Sequence, residues 1–514
     1  MTSGQIPATS GVREAGDPST SVWVALRSWS RMRTEVLAGL VVALALIPEA
    51  ISFSVIAGVD PRVGLFASFT MAVTIAVTGG RPAMISAATG AVALVIAPIA
   101  RQHGMDYLIA TVILAGIIQV TLSVLGVARL MRFIPRSVMV GFVNALAILI
   151  FTAQHPHLIG VPALVYPFVG AGLLIMVVLP KLTTAIPAPL VAIVALTAAA
   201  IVFSLDLPSV SDEGTLPSSL PAVFIPHVPW TMHTLELIAP YALAMALVGL
   251  LESLMTAKLV DDITDTHSNK TREGWGQGLA NVVTGLFGGM GGCAMIGQTM
   301  INVKVSGART RISTFLAGAF LLGLVVGLGD IVGRIPMAAL VAVMIMVSVG
   351  TMDWHSINPA TLRRMPRSET LVMAATVIVT VISHNLAYGV IIGVLTAMVL
   401  FARRVAHMVT VGKTEQPQQD SNTSPAAGTV VYRVTGELFF ASSNDLVYQF
   451  DYSGDPERIV IDMTDSHIWD ASTVAALDAI TTKYRARGKH VEIVGLNQDS
   501  ATRHDRLTGQ LGGH

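Results

Sequence analysis

The sequence predicts an α-helical polytopic membrane protein followed by a small cytoplasmic α/β domain, and three observations carry that expectation. Of 514 residues, 53% are hydrophobic and only 12% charged, about half the charged fraction of a soluble protein. Apolar runs long enough to cross a bilayer recur from Val36 to Val405. Beyond Arg404 the chain becomes polar, then alternates strand-like and helix-like segments. A net charge of zero argues against a nucleic-acid partner. The single cysteine, Cys293, leaves no intrachain disulfide and no cysteine metal cage, so neither a metal nor a cofactor is expected.

Residues 1–30 are polar, rich in Gly, Pro, Ser and Thr, and lack the apolar core of a signal peptide. They read as a disordered leader ending in an amphipathic piece around Trp23 to Trp29. Residues 31–410 form the membrane region. Candidate spans are Val36–Ala57, Val63–Val77, Tyr107–Ala128, Val138–Phe151, Val169–Val178, Leu190–Phe203, Leu235–Leu251, Gly276–Phe287, Thr314–Leu328, Met337–Val349, Leu371–Ile382 and Tyr388–Phe401. With two irregular stretches added, the total is about fourteen. Lys and Arg concentrate in alternate loops, among them Arg129, Arg132 and Arg136, then Lys258, Lys270 and Arg272, then Arg363, Arg364 and Arg367. The positive-inside rule places those loops and both termini in the cytoplasm and the Asp206–His233 segment outside. Residues 411–427 are a polar linker. Residues 428–514 contain three buried-strand patterns, "TVVYRVTGELFF", "RIVIDM" and "HVEIVGL", with helices "SSNDLVYQFDY" and "ASTVAALDAITTKYRARG" between them.

The two irregular stretches are "GGRPAMISAATGAVALV" (Gly79 to Val95) and "GGMGGCAMIGQTMINVKVSG" (Gly288 to Gly307). Inside a bilayer, irregular backbone is tolerated only where protein or an aqueous cavity covers it. A pair in separate halves of a chain points to inverted repeats with a midplane binding site. A half-helix that begins there presents unpaired N–H groups and the positive end of its dipole, which attract an anion without a buried Lys or Arg. The expected starts lie near Ala88, Thr89 and Gly90 in the first half, and near Gly297, Gln298 and Thr299 in the second. The same glycines also serve close helix packing.

Glu49 and Glu252 each sit in an apolar span, where a carboxylate is costly unless protonated or paired. Glu49 follows Pro48, which loosens the helix, and it reads as a proton carrier. Glu252 has Thr256 one turn on; the pair reads either as a structural acid with its hydroxyl or as oxygen ligands for sodium. Phe53 walls the site or simply fills the core. Asp261, Asp262 and Asp265 read as a solvated loop, and His155–His157 as an external loop rather than a metal site.

"AGLVVALALIPEAISFSVIAGVDPRVGLFASF", "GLLESLMTAKLVDDITDTHSNKTREGWGQGLANVVTGLFGGMGG" and "SGARTR" resemble the SulP anion transporters, and the last domain resembles their STAS domain. The resemblance implies a seven-plus-seven inverted repeat with core and gate domains and an elevator movement. It implies an anion site lined by Thr89, Gly90, Gly297, Gln298 and Thr299, with Glu49 and Phe53 contributing from the first span. It also implies that Glu252 and Thr256 stand where sodium-coupled members hold the ion. Many animal members have glutamine where this chain has Glu49, which favours proton symport here. Vertebrate chloride-handling members place an arginine where this chain has Thr299, so a fixed positive charge is missing. In soluble relatives of the last domain, a serine near Ser472 is phosphorylated; Ser472 also suits a helix N-cap.

The expected function is secondary active transport of a small inorganic anion, sulfate or bicarbonate, energised by protons, in a bacterial plasma membrane. A dicarboxylate symporter, a sodium-coupled bicarbonate transporter and a STAS signalling scaffold are the alternatives. No nucleophile–base pair or nucleotide loop suggests an enzyme, and the resemblance implies a homodimer.

Overall fold

The computed structural model describes residues 20–126, 134–183, 187–406, 409–416 and 428–509. Most of the leader, Arg129 and Arg132, and most of the linker lie outside them. Two compact units emerge, Met1–Val394 and Leu395–His514.

The first unit opens with α1 (Val22–Leu26), α2 (Trp29–Ala57), α3 (Pro61–Thr78), β1 (Ser86–Ala87) and α4 (Gly90–His103). It continues through α5 (Met105–Val124), α6 (Arg136–Thr152), α7 (Val165–Leu182) and α8 (Ala188–Val202). The opening pattern then recurs as α9 (Met232–Thr264), α10 (Lys270–Leu286), β2 (Cys293–Ala294) and α11 (Ile296–Met300), and α11 runs on as a π-helix over Ile301–Val305. The remaining helices are α12 (Arg311–Gly327), α13 (Gly329–Gly333), α14 (Met337–Thr351), α15 (Pro359–Arg364), α16 (Arg367–Ser383) and α17 (Leu386–Ala406), the last of which runs on into the second unit after Val394. Among the described residues, seven helices are long and apolar enough to cross a membrane: α2, α3, α5, α6 with the turn after it, α7, α9 and α17. The apolar α8, α12 and α14 are shorter.

Packing sorts these helices into two bodies. α2–α5 pack with α9–α12 to make a core, and α6–α8 pack with α14 and α16 to make a gate. Gly389 and Gly393 bring α17 against Thr376 and Thr380 of α16. α14, α8 and α6 touch the core at α2 and α4.

Several boundaries depart from expectation for local reasons. α9 extends well past Leu251 to Thr264, where Asp265 closes the helix in the left-handed region at φ 51°. Asp261, expected in a loop, therefore lies in the last turns of α9, where it pairs with Arg81 at 3.1 Å and Lys270 at 2.6 Å. α10 starts at Lys270, six residues before the apolar run, because Asn269 caps it.

In the second unit, β3 (Thr410–Gln416), β4 (Thr429–Leu438), α18 (Phe440–Leu446), β5 (Arg458–Ile468), α19 (Ala471–Arg485), β6 (His490–Val494) and α20 (Gln498–Leu507) follow in order. The sheet order is β3-β4-β5-β6, antiparallel at β3–β4 and parallel elsewhere. β3 occupies the start of the expected linker, and α20 had no counterpart in the apolar pattern, being polar except for Ala501 and Leu507. The cap of α19 is Asp470, which accepts from the Thr473 amide, so Ser472 is not the N-cap and stands exposed in the first turn.

Asp455 is 5% exposed and anchors this unit. Its carboxylate accepts from the Tyr432 hydroxyl at 2.7 Å and from the Tyr484 hydroxyl, and it faces Lys413 of β3 at 2.9 Å. Burial pushes its pKa up, but the Tyr484, Lys413 and Tyr432 partners outweigh burial and hold it below the ordinary aspartate value. The ionised form is thus favoured by folding. Its contribution is complete above the unfolded value and fades as pH falls through the lower folded value. Asp455→Asn is expected to cost about 2 kcal/mol at neutral pH, seen as faster hydrogen exchange over residues 429–494, and the deficit should shrink below pH ~3.9.

Candidate functional site

The two irregular stretches meet. β1 pairs antiparallel with β2 through Ser86↔Ala294 and Ala87↔Cys293. The pairing is extended by the Met295 amide, which donates to the Ile85 carbonyl at 2.9 Å. Side chains satisfy further backbone amides. The Ala88 amide donates to Ser68, the Ala294 amide to Ser253, and the Gly292 amide to Asn281. A buried extended segment survives among apolar helices only with such partners.

The approach of the strands needs glycine at one place above all. A Cβ on Gly292 would stand 1.9 Å from the Ala87 carbonyl oxygen. Upstream, buried Glu273 of α10 accepts from the Gly80 and Arg81 amides, and Gln277 donates to Ser86 at 2.6 Å. Glu35 of α2 accepts from the Arg309, Thr310 and Ser313 amides, capping α12 from outside. Carboxylates and amides thus fix both crossings to the core.

α4 starts at Gly90 with Thr89 as its cap, its hydroxyl accepting from the Val92 amide. α11 starts at Ile296, one residue before the expected Gly297, and its cap Met295 supplies no side-chain bond. The first amides of a helix have no intrahelical acceptor. Gly297 is exposed, and a Cβ there would meet nothing within 4 Å. Gly90 is instead tightly walled, with Phe53 2.9 Å from where its Cβ would be.

Glu49, 9% exposed, accepts from the Gln298 amide nitrogen at 2.6 Å. Pro48 beside it has no N–H to donate, and its own carbonyl accepts from Ser52. Glu49, Phe53, Gly90, Gln298 and Gly297 are therefore gathered around the two helix starts. Thr299 is different. It is wholly buried and its hydroxyl accepts from the Ile85 amide at 3.0 Å, so it ties α11 to the first crossing.

Glu252 is also buried, but its partner is not Thr256. The Thr256 hydroxyl donates to the Glu252 backbone carbonyl at 2.7 Å, whereas the Glu252 carboxylate accepts from the Cys293 thiol at 2.9 Å. Cys293 in turn lies 3.1 Å from the Thr89 hydroxyl. Sequence reasoning missed this link, since Cys293 figured there only as a lone thiol; its place inside the second irregular stretch was the available signal. Among the described residues no cluster of three or more His, Cys, Asp or Glu could hold a metal, and His157 lies 3.8 Å from Glu213.

Two half-helices starting inside a core, faced by a separate body of helices and followed by an α/β domain, define a helical membrane transporter with a STAS domain. Residues 32–170 and 168–376 match the model of the sulfate permease family, and residues 420–508 match that of the STAS domain. The chain belongs to the sulfate permease family. It is 51% identical to "Putative sulfate transporter YbaR" of Bacillus subtilis (strain 168), over 92% of this chain and 96% of that one. To "Bicarbonate transporter BicA" of Picosynechococcus sp. it is 24% identical over 93% and 91%. Among solved structures, murine Slc26a9 in an inward-facing state superposes with a TM-score of 0.78 at 15% identity, covering 92% of this chain and 87% of that one.

Proposed function

We propose that this chain is a secondary active transporter of a small inorganic anion of the sulfate or bicarbonate class, driven by proton symport. The observation that carries the reading is the junction of the two half-helix starts through β1 and β2, with Glu49 hydrogen-bonded to Gln298 at its edge. Peptide dipoles at Gly90 and Gly297, the Thr89 and Gln298 side chains and the Phe53 ring receive the anion. Glu49 carries the coupling proton, because the group that holds its carboxylate is the uncharged Gln298 amide and it stands beside the anion position. Glu252, with Thr256 below it, is a second coupling residue acting through Cys293 and Thr89. Thr299 positions α11 in this scheme. The core moves against the gate as an elevator, since both half-helices belong to the core and few helices join the two bodies. The setting is a bacterial plasma membrane, with both termini cytoplasmic and the chain acting as a homodimer. Ser472 is a regulatory hydroxyl on the STAS domain.

The similarity to proteins named as sulfate and bicarbonate transporters supports the substrate class. The test is uptake of labelled sulfate, bicarbonate and fumarate into proteoliposomes, with and without an inward proton gradient. Sulfate or bicarbonate uptake that rises with the gradient is the expected result. Fumarate alone would establish the dicarboxylate alternative, a sodium requirement would move the coupling to Glu252 and Thr256, and no uptake of any of the three would remove the proposal.

A further inference from the structure

The chain passes from gate to core between α8 and α9, and this connection, residues 203–231, is bonded to both bodies. Its first half is held by the gate. The Val210 amide donates to the Ile335 carbonyl at 3.0 Å, and the Met337 amide, at the start of α14, donates to the Pro208 carbonyl at 2.8 Å. Ser209 and Asp212 close a short turn over Val210–Asp212, each side chain bonding the other's backbone. Glu213 lies 3.8 Å from His157, which follows α6, and Val210 is wholly buried.

The second half is held by the core. The Arg62 amide of α3 donates to the Thr215 carbonyl at 3.2 Å, and the Thr215 hydroxyl donates to Asp60, the residue before α3, at 3.1 Å. Further on, the Phe224 amide donates to the Leu286 carbonyl at the end of α10 at 2.6 Å. The His227 amide donates to Asp106 of α5 at 2.8 Å.

One residue separates the two sets of anchors. Gly214 has a φ of 143°, where a side chain is disfavoured, and a Cβ on it would collide with the Asp60 carboxylate. Parting either set of anchors breaks several hydrogen bonds at once, each with its own cost. Turning the backbone of a glycine breaks none, and such loop positions absorb the dihedral changes of a moving body. An open cavity of about 670 Å³ beside Gly214, lined in part by Ser211, Leu216, Asp330 and Arg334, leaves room for the turn.

We propose that Gly214 is a hinge between gate and core: when the bodies shift, residues 208–213 travel with the gate, residues 215–227 travel with the core, and the chain bends at Gly214. The inference rests on the elevator reading above and assigns the place where this connection yields. Ser211 and Leu216, on either side of the hinge, both lie against Gly333 of α13, 3.7 and 3.4 Å from where its Cβ would be. The return crossing from core to gate, residues 328–336, therefore meets the first crossing at the point of bending.

The test follows each half of the connection by double electron–electron resonance, on the full chain in nanodiscs, with and without sulfate or bicarbonate. Nitroxides are placed in pairs on cysteines that replace exposed residues: Ser211 and Val223 on the two halves, Leu174 of α7 as the gate reference, and Val124 of α5 as the core reference. The native Cys293 is buried and stays unlabelled. The Leu174–Val124 pair should show two distances whose proportions change with the anion. The Ser211–Leu174 and Val223–Val124 pairs should each keep one distance, while the Ser211–Val124 and Val223–Leu174 pairs split as the reference pair does. A split reference pair with Ser211 and Val223 both following the same body would overturn the hinge and leave the elevator reading standing. So would a split in both Ser211 pairs, since the first half would then have left the gate. A reference pair with one distance under every condition would remove the elevator reading and the hinge with it.

Discussion

Glu49→Gln is expected to reduce gradient-driven anion uptake by about tenfold or more and to leave what remains insensitive to pH. The substitution keeps the shape of the side chain and an oxygen able to accept from Gln298, which lies 2.6 Å from the carboxylate. What it removes is the titratable proton on which the proposed coupling role depends. Packing should survive, because Glu49 is held by Gln298 and by its place between Pro48 and Phe53 in a helix that is otherwise unchanged. Counterflow exchange of anion between equal pools needs no net proton movement, so it should persist in the variant. Measuring both modes in one preparation separates a coupling role from a structural one. Uptake in Glu49→Gln that still tracks the proton gradient would take the coupling role away from Glu49. Loss of exchange together with uptake would mean that the carboxylate shapes the anion site itself.

The place of Glu49 beside the helix starts was legible in the sequence, because Pro48 and the apolar run around it put a carboxylate inside the membrane region. The same holds for the paired irregular stretches, whose glycines and hydroxyls interrupt otherwise continuous hydrophobicity. Their β-pairing was not legible. Two residues per strand leave no period-2 pattern, and the register depends on partners as distant as Ser86 and Ala294. Thr299 illustrates the limit at a single residue. Its spacing from Gln298 suggested a second anion ligand, yet its hydroxyl faces Ile85, a contact between residues more than two hundred positions apart. Glu252 and Thr256 show the converse, since helical spacing correctly put them on one face but the carboxylate found Cys293 across the core instead. In the C-terminal unit, β3 was hidden because "TVGKTEQ" is polar and becomes a strand only by adding an edge to β4.

The contrast between two glycines of the second stretch gives the most severe test of the junction. Gly292 and Gly297 are five residues apart and alike in sequence, but they face different surroundings. A Cβ at 292 would lie 1.9 Å from the Ala87 oxygen and 2.6 Å from its carbonyl carbon, both backbone atoms that no side-chain rotation can move aside. Gly292→Ala must therefore part β1 from β2, strand the amides they satisfy, and swing the two helix starts away from each other. A cost above about 4 kcal/mol is expected, in the range reserved for core disruption, so thermal stability in detergent and transport should both collapse. At Gly297 the same methyl meets nothing within 4 Å. Gly297→Ala should therefore melt like the unmodified protein while weakening anion affinity, because the added methyl occupies the open ground in front of the α11 amides. Strands that hold the helix starts, and starts that hold the anion, require a rise in KM with stability intact at 297 and loss of both at 292. If Gly292→Ala proved as stable as the unmodified protein, the strand contact would not be what positions the site. If Gly297→Ala left KM untouched, the anion would have to bind elsewhere than at these amides.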